Sequence, residues 1–304
     1  MEIEIDLVEG EEEQRLWLEL RNADAPEPLP AEQRVRLREL SPDTVELLAR
    51  LDGVPAGGAF VGSPIAEPHA RHAGVGGYVL PEARGRGVGS AIYRELSERA
   101  RRLGKEELEA GGPAQDEASL AFLRHRGFRE VTRTQQATLE LGGPTLEAPP
   151  APVEFEVVVL EGRPELAHGM YEVAREAIPD IPVSEPLTTG TEAEWRETEL
   201  DEARADLTVV ALADGVVVGY STLGDFGDGA GLHLMTGVRR DWRGRGVARA
   251  LKVAQIEAAR AAGLNRLLAF NDTTNAPMQR LNVALGYRLH PIYVTLRGPL
   301  APAD

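Results

Sequence analysis

Two stretches of this 304-residue chain spell the same pentapeptide, Arg-Gly-Arg-Gly-Val, at residues 84–88 and 243–247. Their separation is 243 − 84 = 159 residues. A second pair, Gly127-Phe128 and Gly286-Tyr287, keeps that spacing, since 287 − 128 = 159. Two unrelated motifs at one offset mark an internal duplication, so the chain has to build one architecture twice. Upstream, "LARLDGVPAGGAF" (48–60) parallels "VALADGVVVGYST" (210–222). Each is a β-rich run, an Asp-Gly turn and a second run, the signature of a tight hairpin. The offset there is 214 − 52 = 162, so a small insertion separates hairpin from pentapeptide in one copy. Between the copies, residues 142–153 are rich in Pro and Gly and read as a linker. Two homologous domains, 1–141 and 154–304, are expected.

Each half runs through the same series. A first strand leads to helical segments, then the hairpin, a strand, the Arg-Gly turn and a long helix. A short strand, another helix and a closing strand after Gly-Phe or Gly-Tyr complete it. That order predicts an α/β fold, a mixed central sheet flanked by helices, in tandem.

Composition narrows the function. There is no cysteine, which excludes disulfides, Cys-ligated zinc and thiol nucleophiles. The formal net charge of −16 opposes attraction to nucleic acid or to anionic membranes and favours cationic small molecules. No stretch approaches the ~20 apolar residues of a membrane span. The start, "MEIEIDLVEG", alternates acidic and apolar residues as a strand does and lacks the basic-then-apolar pattern of a signal peptide. A cytoplasmic protein without metal is expected.

The pentapeptide asks for a ligand. In the helix after it, Val247, Ala250, Leu251, Ala254 and Ala258 recur at i, i+3/i+4 spacing and form a sheet-facing stripe. The helix start leaves backbone N–H groups unbonded and carries partial positive charge. Gly244 and Gly246 clear side chains from that spot, while Arg243, Arg245 and Arg249 surround it with charge. The combination is an anion cradle suited to a pyrophosphate. A Walker A loop would need Lys-Ser/Thr after its last glycine, and neither copy has it. A dinucleotide fingerprint would need a third glycine where Ser90 and Arg249 stand.

These segments resemble motif A of the GCN5-related N-acetyltransferases, Arg/Gln-x-x-Gly-x-Gly/Ala. Arg243, Gly246 and Ala248 fill the pattern in one copy, and Arg84, Gly87 and Gly89 in the other. "NAPMQRLNVALGY" is similar to a further family motif, with Asn275 before the helix and Gly286-Tyr287 after it. The resemblance covers nearly the whole chain as two copies. It implies acetyl-CoA or another acyl-CoA with its pyrophosphate on the Arg-Gly turn and its pantetheine arm between two splayed parallel strands. Carried over, the contacts fall at Met235, Val238, Arg239, Arg243, Gly244, Arg245, Gly246, Val247, Ala248 and Arg249, with Asn271 and Asn275 on the other side. In the first copy they fall at Val79, Leu80, Arg84, Gly85, Arg86, Gly87, Val88 and Gly89.

The implied chemistry is attack of a neutral amine of a small molecule on a thioester, aided by a base and by a proton donor for the leaving thiolate. His233, on the strand entering the Arg-Gly turn, is the expected base, with Asp225 as a second candidate; Asp228, His69 and His72 are weaker ones. Many family members place the proton-donating tyrosine four residues before the Gly-aromatic pair. Here Asn282 and Leu123 occupy those positions, so the acid is unassigned. Residues 188–206 read as an acidic helix that rims an amine site or is simply solvated. Asp116 replaces Asn275 in the first copy, which makes the second domain the expected catalytic one. A monomer that is a pseudo-dimer of its domains, or a homodimer, is expected. The tandem arrangement also resembles the mycothiol synthases, which implies an amino-sugar thiol conjugate as acceptor. A non-catalytic acyl-CoA sensor is the reading from another class.

Overall fold

A computed structural model describes residues 2–23, 29–65, 67–143, 154–181 and 187–303. Apart from Gly142 and Gly143, the expected linker lies outside the described residues. The chain forms two compact units, one of Met1–Val131 with Val294–Asp304, the other of Thr132–Tyr293.

The first unit contains strands β1 (Ile3–Leu7), β2 (Val45–Leu51), β3 (Val54–Gly62), β4 (His72–Val79) and β5 (Glu107–Pro113). Its helices are α1 (Gly10–Asn22), α2 (Ala31–Leu40), α3 (Val88–Arg102) and α4 (Glu117–Arg124). β6 (Arg129–Glu140) follows. Strands β1 to β4 pair antiparallel in succession, and β4 pairs parallel with β5 across the α3 connection. The second unit repeats this with β7 (Glu156–Val159), α5 (Ala167–Ala177), the short α6 (Glu192–Trp195), β8 (Val209–Ala213), β9 (Val216–Gly227), β10 (Ala230–Val238), α7 (Val247–Ala261), β11 (Arg266–Asp272) and α8 (Ala276–Ala284). β7 to β10 pair antiparallel in succession, and β10 pairs parallel with β11. The last strand is β12 (Arg288–Pro299). Each unit is thus a mixed sheet with flanking helices, the α/β class read from the sequence.

Both hairpins close as their Asp-Gly turns dictate. Asp52 and Gly53 have φ of 52° and 77°, and Asp214 and Gly215 have 49° and 77°. Two successive positive φ values match the twist of the flanking strands in a two-residue turn.

The closing strands are exchanged. From Thr132 onward β6 belongs to the second unit, where Thr134 to Glu140 pair antiparallel with Asp272 to Arg266. Ala137 and Leu139 are buried there with Leu267, Ala269, Leu285 and Tyr287. From Val294 onward β12 belongs to the first unit, where Val294 and Leu296 are buried with Leu108, Leu120 and Phe128. Arg297 binds Glu109 at 2.9 Å, and the Tyr93 hydroxyl donates to Pro299 O at 2.8 Å. The compact units therefore differ from the sequence halves 1–141 and 154–304 by one strand each. In a duplicated chain either closing strand presents apolar residues suited to either sheet, so periodicity alone does not say which it joins.

Two other expectations change. The inward face of α7 is broader than the stripe read from the sequence, since it buries Val247, Leu251, Lys252, Val253, Gln255, Ile256 and Ala259. Two polar residues face the core. The expected helix over 188–206 is shorter, running only from 192 to 200: Thr191 opens α6 with a reciprocal capping box to Glu194, wide π-helical turns over Arg196–Leu200 continue it, and Ala203 bridges to Gly224.

Candidate active site

The two Arg-Gly turns are built alike. Gly85 and Gly87 have φ of 73° and 89°, and Gly244 and Gly246 have 76° and 84°. A side chain at any of these would force a left-handed backbone that residues other than glycine rarely adopt. A Cβ added at Gly85, Gly244 or Gly246 would meet nothing within 4 Å, so the space above those turns is open. Gly87 and Gly246 cap α3 and α7. In α7 the first helical donation is Ala250 N to Gly246 O, which leaves the N–H groups of Val247, Ala248 and Arg249 without an intrahelical acceptor. A diphosphate fits such a surface.

The first arginine of each motif holds the turn together. Arg243 Nε donates to Val238 O at 3.2 Å, and Arg84 Nε donates to Val79 O at 2.9 Å. Arg243 also pairs with Asp180 at 2.8 Å, and Arg240 binds the same carboxylate through two 2.8 Å bonds. These guanidinium groups hold the Asp180 carboxyl well below the usual carboxylate range. Arg245 lies over the Trp242 ring at 4.9 Å and stands 3.4 Å from Glu154, while Arg86 stands 3.6 Å from Asp52. Arg239 stands 3.5 Å from Asp241. Ala248 and Arg249 are half-buried at the start of α7, as Gly89 is in α3 behind the buried Val88.

Beside each turn the parallel strands part. β10 and β11 pair only from Ala230 to Leu232, although β10 runs to Val238 and β11 to Asp272. β4 and β5 pair only from His72 to Gly74. Each unit therefore has two parallel strands that part on the way to the helix start, the splay that the resemblance implies for a pantetheine arm. In the second unit β10 bulges at the fork: His233 pairs with Leu223, Met235 with Thr222, and Leu234 is the extra residue. A bulge re-aims the strand beside it. Here it turns the Met235 backbone toward side chains, with Met235 N donating to Thr222 Oγ1 and Met235 O facing Ser221 Oγ, both at 3.1 Å. In the first unit β4 pairs with β3 without a register shift.

Behind the bulge lies a polar cluster. His233 Nε2 is 2.5 Å from the Tyr287 hydroxyl. The Lys252 ammonium sits 5.1 Å from the centre of the Tyr287 ring. Ser221 Oγ is 2.8 Å from Gln255 Oε1 and from Thr236 Oγ1, and Gln255 Nε2 donates to Leu207 O and Ser221 O at 3.0 Å. Three atoms in the group are buried without a partner: His233 Nδ1 and both side-chain polar atoms of Asn282. Burial pushes the His233 imidazole well down, helped by the nearby Lys252 charge, and burial alone lowers Lys252 to about 7. Burial raises the Tyr287 phenol. His233 is thus neutral and Lys252 is poised near neutrality.

The first unit lacks this chemistry. The offset of 159 places Tyr93, Leu96, Leu123 and Phe128 opposite Lys252, Gln255, Asn282 and Tyr287. Strand pairing matches Ala59 and Gly77 with Ser221 and Thr236, and Val75 with His233 once the extra Leu234 is allowed for. Val75 and Phe128 belong to the apolar core.

Sequence reasoning missed Lys252, Gln255, Tyr287 as a hydroxyl, and Glu199. Glu199 accepts from Trp195 Nε1 at 2.7 Å and from Tyr220 and Thr222 hydroxyls at 3.2 Å each, and burial raises its carboxyl. The signal available for Lys252 was its rarity, since Lys105 is the only other lysine. Asp225 is exposed and closes a turn by accepting from Gly227 N at 2.9 Å, and Asp228 takes φ 49° in the turn after it. Asn275 caps α8 by accepting from Met278 N at 3.3 Å, and Asp116 caps α4 through Ser119 N at 3.1 Å. Asn271 is half-buried on β11 past the fork and pairs with Gln135. His72 is buried 3.5 Å from Glu109, while His69 precedes β4 and is exposed. No group of three side chains able to hold a metal occurs among the described residues.

The model of the Acetyltransferase (GNAT) family matches residues 14–128 and again 169–287. The chain belongs to the GNAT family. A mycothiol acetyltransferase of Nocardiopsis dassonvillei is 28% identical over 295 residues, covering 88% of this chain and 87% of its own. A mycothiol acetyltransferase of Thermomonospora curvata is 30% identical over 257 residues, covering 83% and 82%. Among solved structures, a GCN5-related N-acetyltransferase of Sphaerobacter thermophilus superposes with a TM-score of 0.69 at 24% identity, covering 95% of this chain and 91% of that one. A tandem GNAT protein of the clavulanic acid pathway, solved without AcCoA, gives 0.66 at 22% identity over the whole of both chains. This GNAT protein is therefore an N-acetyltransferase with two copies of the fold, and the sensor reading is not favoured. Enzymes of this fold take acyl-CoA as co-substrate and act on small molecules. Among the described residues, no helix is long and apolar enough to cross a membrane.

Proposed function

We propose that the second unit transfers an acetyl group from acetyl-CoA to a primary amine of a small molecule. The observation that carries this reading is the bulged β10 with neutral His233 behind it, present only in the unit whose cradle it adjoins. Gly244, Gly246 and the N–H groups of Val247 to Arg249 hold the pyrophosphate, and the fork between β10 and β11 takes the pantetheine arm. Acetyl-CoA supplies the activated acyl group. His233 takes up the proton that the attacking nitrogen loses, because a desolvated imidazole without charge presents a free lone pair at neutral pH. Asp225 has no part in this, since its carboxylate is spent on a turn. The first unit, with the same cradle and no polar cluster, serves as scaffold. The protein works in the cytoplasm, as a monomer or homodimer.

The relatives named mycothiol acetyltransferase make an amino-sugar thiol conjugate the first acceptor to try. The experiment is to follow loss of thioester absorbance with a panel of amines that includes it, and to identify the acetylated product by mass. Tight acetyl-CoA binding with no acceptor consumed would defeat the reading.

A further inference from the structure

Breaking a thioester leaves a thiolate that needs a proton, and the position of the family's tyrosine holds Asn282, whose amide is fully buried in α8. We propose that Lys252 is the group that protonates the departing CoA sulfur, acting as the acid to the base His233. This rests on the functional reading above.

The geometry is that of a group held for proton transfer. Lys252 is 1% exposed, on the sheet-facing side of α7 two turns from the cradle glycines. No carboxylate pairs with it among the described residues, which is rare for a buried lysine. Its neighbour is the face of the Tyr287 ring, whose hydroxyl is bound to His233 at the β10 bulge. The groups that the structure sets beside it are Tyr287, after α8, and His233, from β10, and neither is an acid. His233 Nδ1 and the Asn282 amide are buried without a hydrogen-bond partner, a cost to stability that a polar partner would relieve. A thioester sulfur and carbonyl, with an amine beside them, supply such partners.

The same burial sets the roles. A lysine held near 7 gives up its proton easily to a thiolate, and an imidazole pushed down by burial, and further by that lysine's charge, stays neutral while the lysine is protonated. Two cations cannot sit side by side in this dry interior, so the pair carries one proton, and Lys252, the less lowered of the two, holds it at rest. In the step, the attacking nitrogen bonds to the acyl carbon and gives one proton to His233 Nδ1. The C–S bond breaks with its electron pair moving to sulfur, which takes a proton from Lys252 Nζ. One proton enters the pair and one leaves, the products are an amide and a thiol, and transfer from His233 to Lys252 restores the start.

Because Lys105 and Lys252 are the two lysines of the chain, lysine-selective isotope labelling yields two NMR signals, assigned through Lys105→Arg. The expected result is that the Lys252 signal titrates near neutrality, moves when acetyl-CoA is added, and that Lys252→Gln lowers kcat by about 100-fold while acetyl-CoA affinity holds. Lys252→Met should match it, and thermal melts show that either variant is folded. If acetyl-CoA binds and the Lys252 signal stays still, or folded Lys252→Gln keeps its kcat, Lys252 is not the acid and the acetyltransferase reading stands. If calorimetry shows no acetyl-CoA binding and no amine is consumed, both fall together.

Discussion

Val75 in the first unit and His233 in the second take the same place in their sheets, yet one is packed in an apolar core and the other stands beside an extra residue with an unpaired nitrogen. The contrast extends to Phe128 against Tyr287, Leu96 against Gln255, and Ala59 against Ser221. Opposite Lys252, Tyr93 spends its hydroxyl on Pro299 O. Meanwhile the Arg-Gly turns agree down to the clip from arginine Nε to the strand-end carbonyl. Binding a diphosphate asks only for backbone, glycine and charge, and duplication preserves these easily. Proton transfer of the kind proposed asks for buried polar side chains, each a cost to stability, and only the second unit has this cluster of them.

Converting the second unit toward the first should break the comparison most severely at His233. His233→Val should lower kcat by about 100-fold or more with acetyl-CoA affinity retained, measured by thioester loss and calorimetry. Unchanged kcat would remove His233 from the chemistry. Next comes Tyr287→Phe, which leaves the ring under Lys252 and deletes only the bond to His233. A loss of about tenfold in kcat is expected, with the melting temperature little changed. A larger fall in stability than in kcat would make the hydroxyl merely structural.

Stability against pH sharpens the contrast further. Lys252 has its ordinary 10.5 in the unfolded chain and about 7 in the folded one. Between those values the unfolded chain holds a proton that the folded one has lost, so stability rises with pH across that window. Lys252→Met should therefore stabilise the protein most below about pH 7, on the order of a few kcal/mol, with the gain shrinking as pH climbs toward 10.5. Urea denaturation at several pH values checks this; a gain independent of pH would mean that Lys252 is not held at a lowered value. The smallest effect belongs to Glu199. Its carboxyl is raised by burial, so folding favours its protonated form and stability falls as pH rises above 4.5 through that window. Glu199→Gln should flatten that part of the profile.

The sequence showed the duplication, both hairpins and both glycine-opened helix starts, because each is written in local residues: Asp-Gly for the turns, paired glycines for the helix starts. It also put His233 on the right strand. Exchange of β6 and β12 was not legible, since apolar strands of duplicated units suit either sheet. Nor was the cluster: Lys252 and Gln255 fall outside the apolar stripe that the sequence shows in this helix, yet both are buried in the fold, Lys252 against Tyr287. Glu199 was hidden likewise in a run of acids, and its inward placement depends on the wide turn at Arg196–Leu200.

The most direct trial of the claim that transfer occurs on the second unit's cradle pairs Gly244→Asp with Gly85→Asp. Both glycines have positive φ and open space, and aspartate tolerates that backbone better than most residues, so each change mainly adds an anion to an anion site. With kcat/KM for acetyl-CoA as the readout, the loss from Gly244→Asp should exceed that from Gly85→Asp by about tenfold or more. Equal losses, or a greater one from Gly85→Asp, would contradict the account.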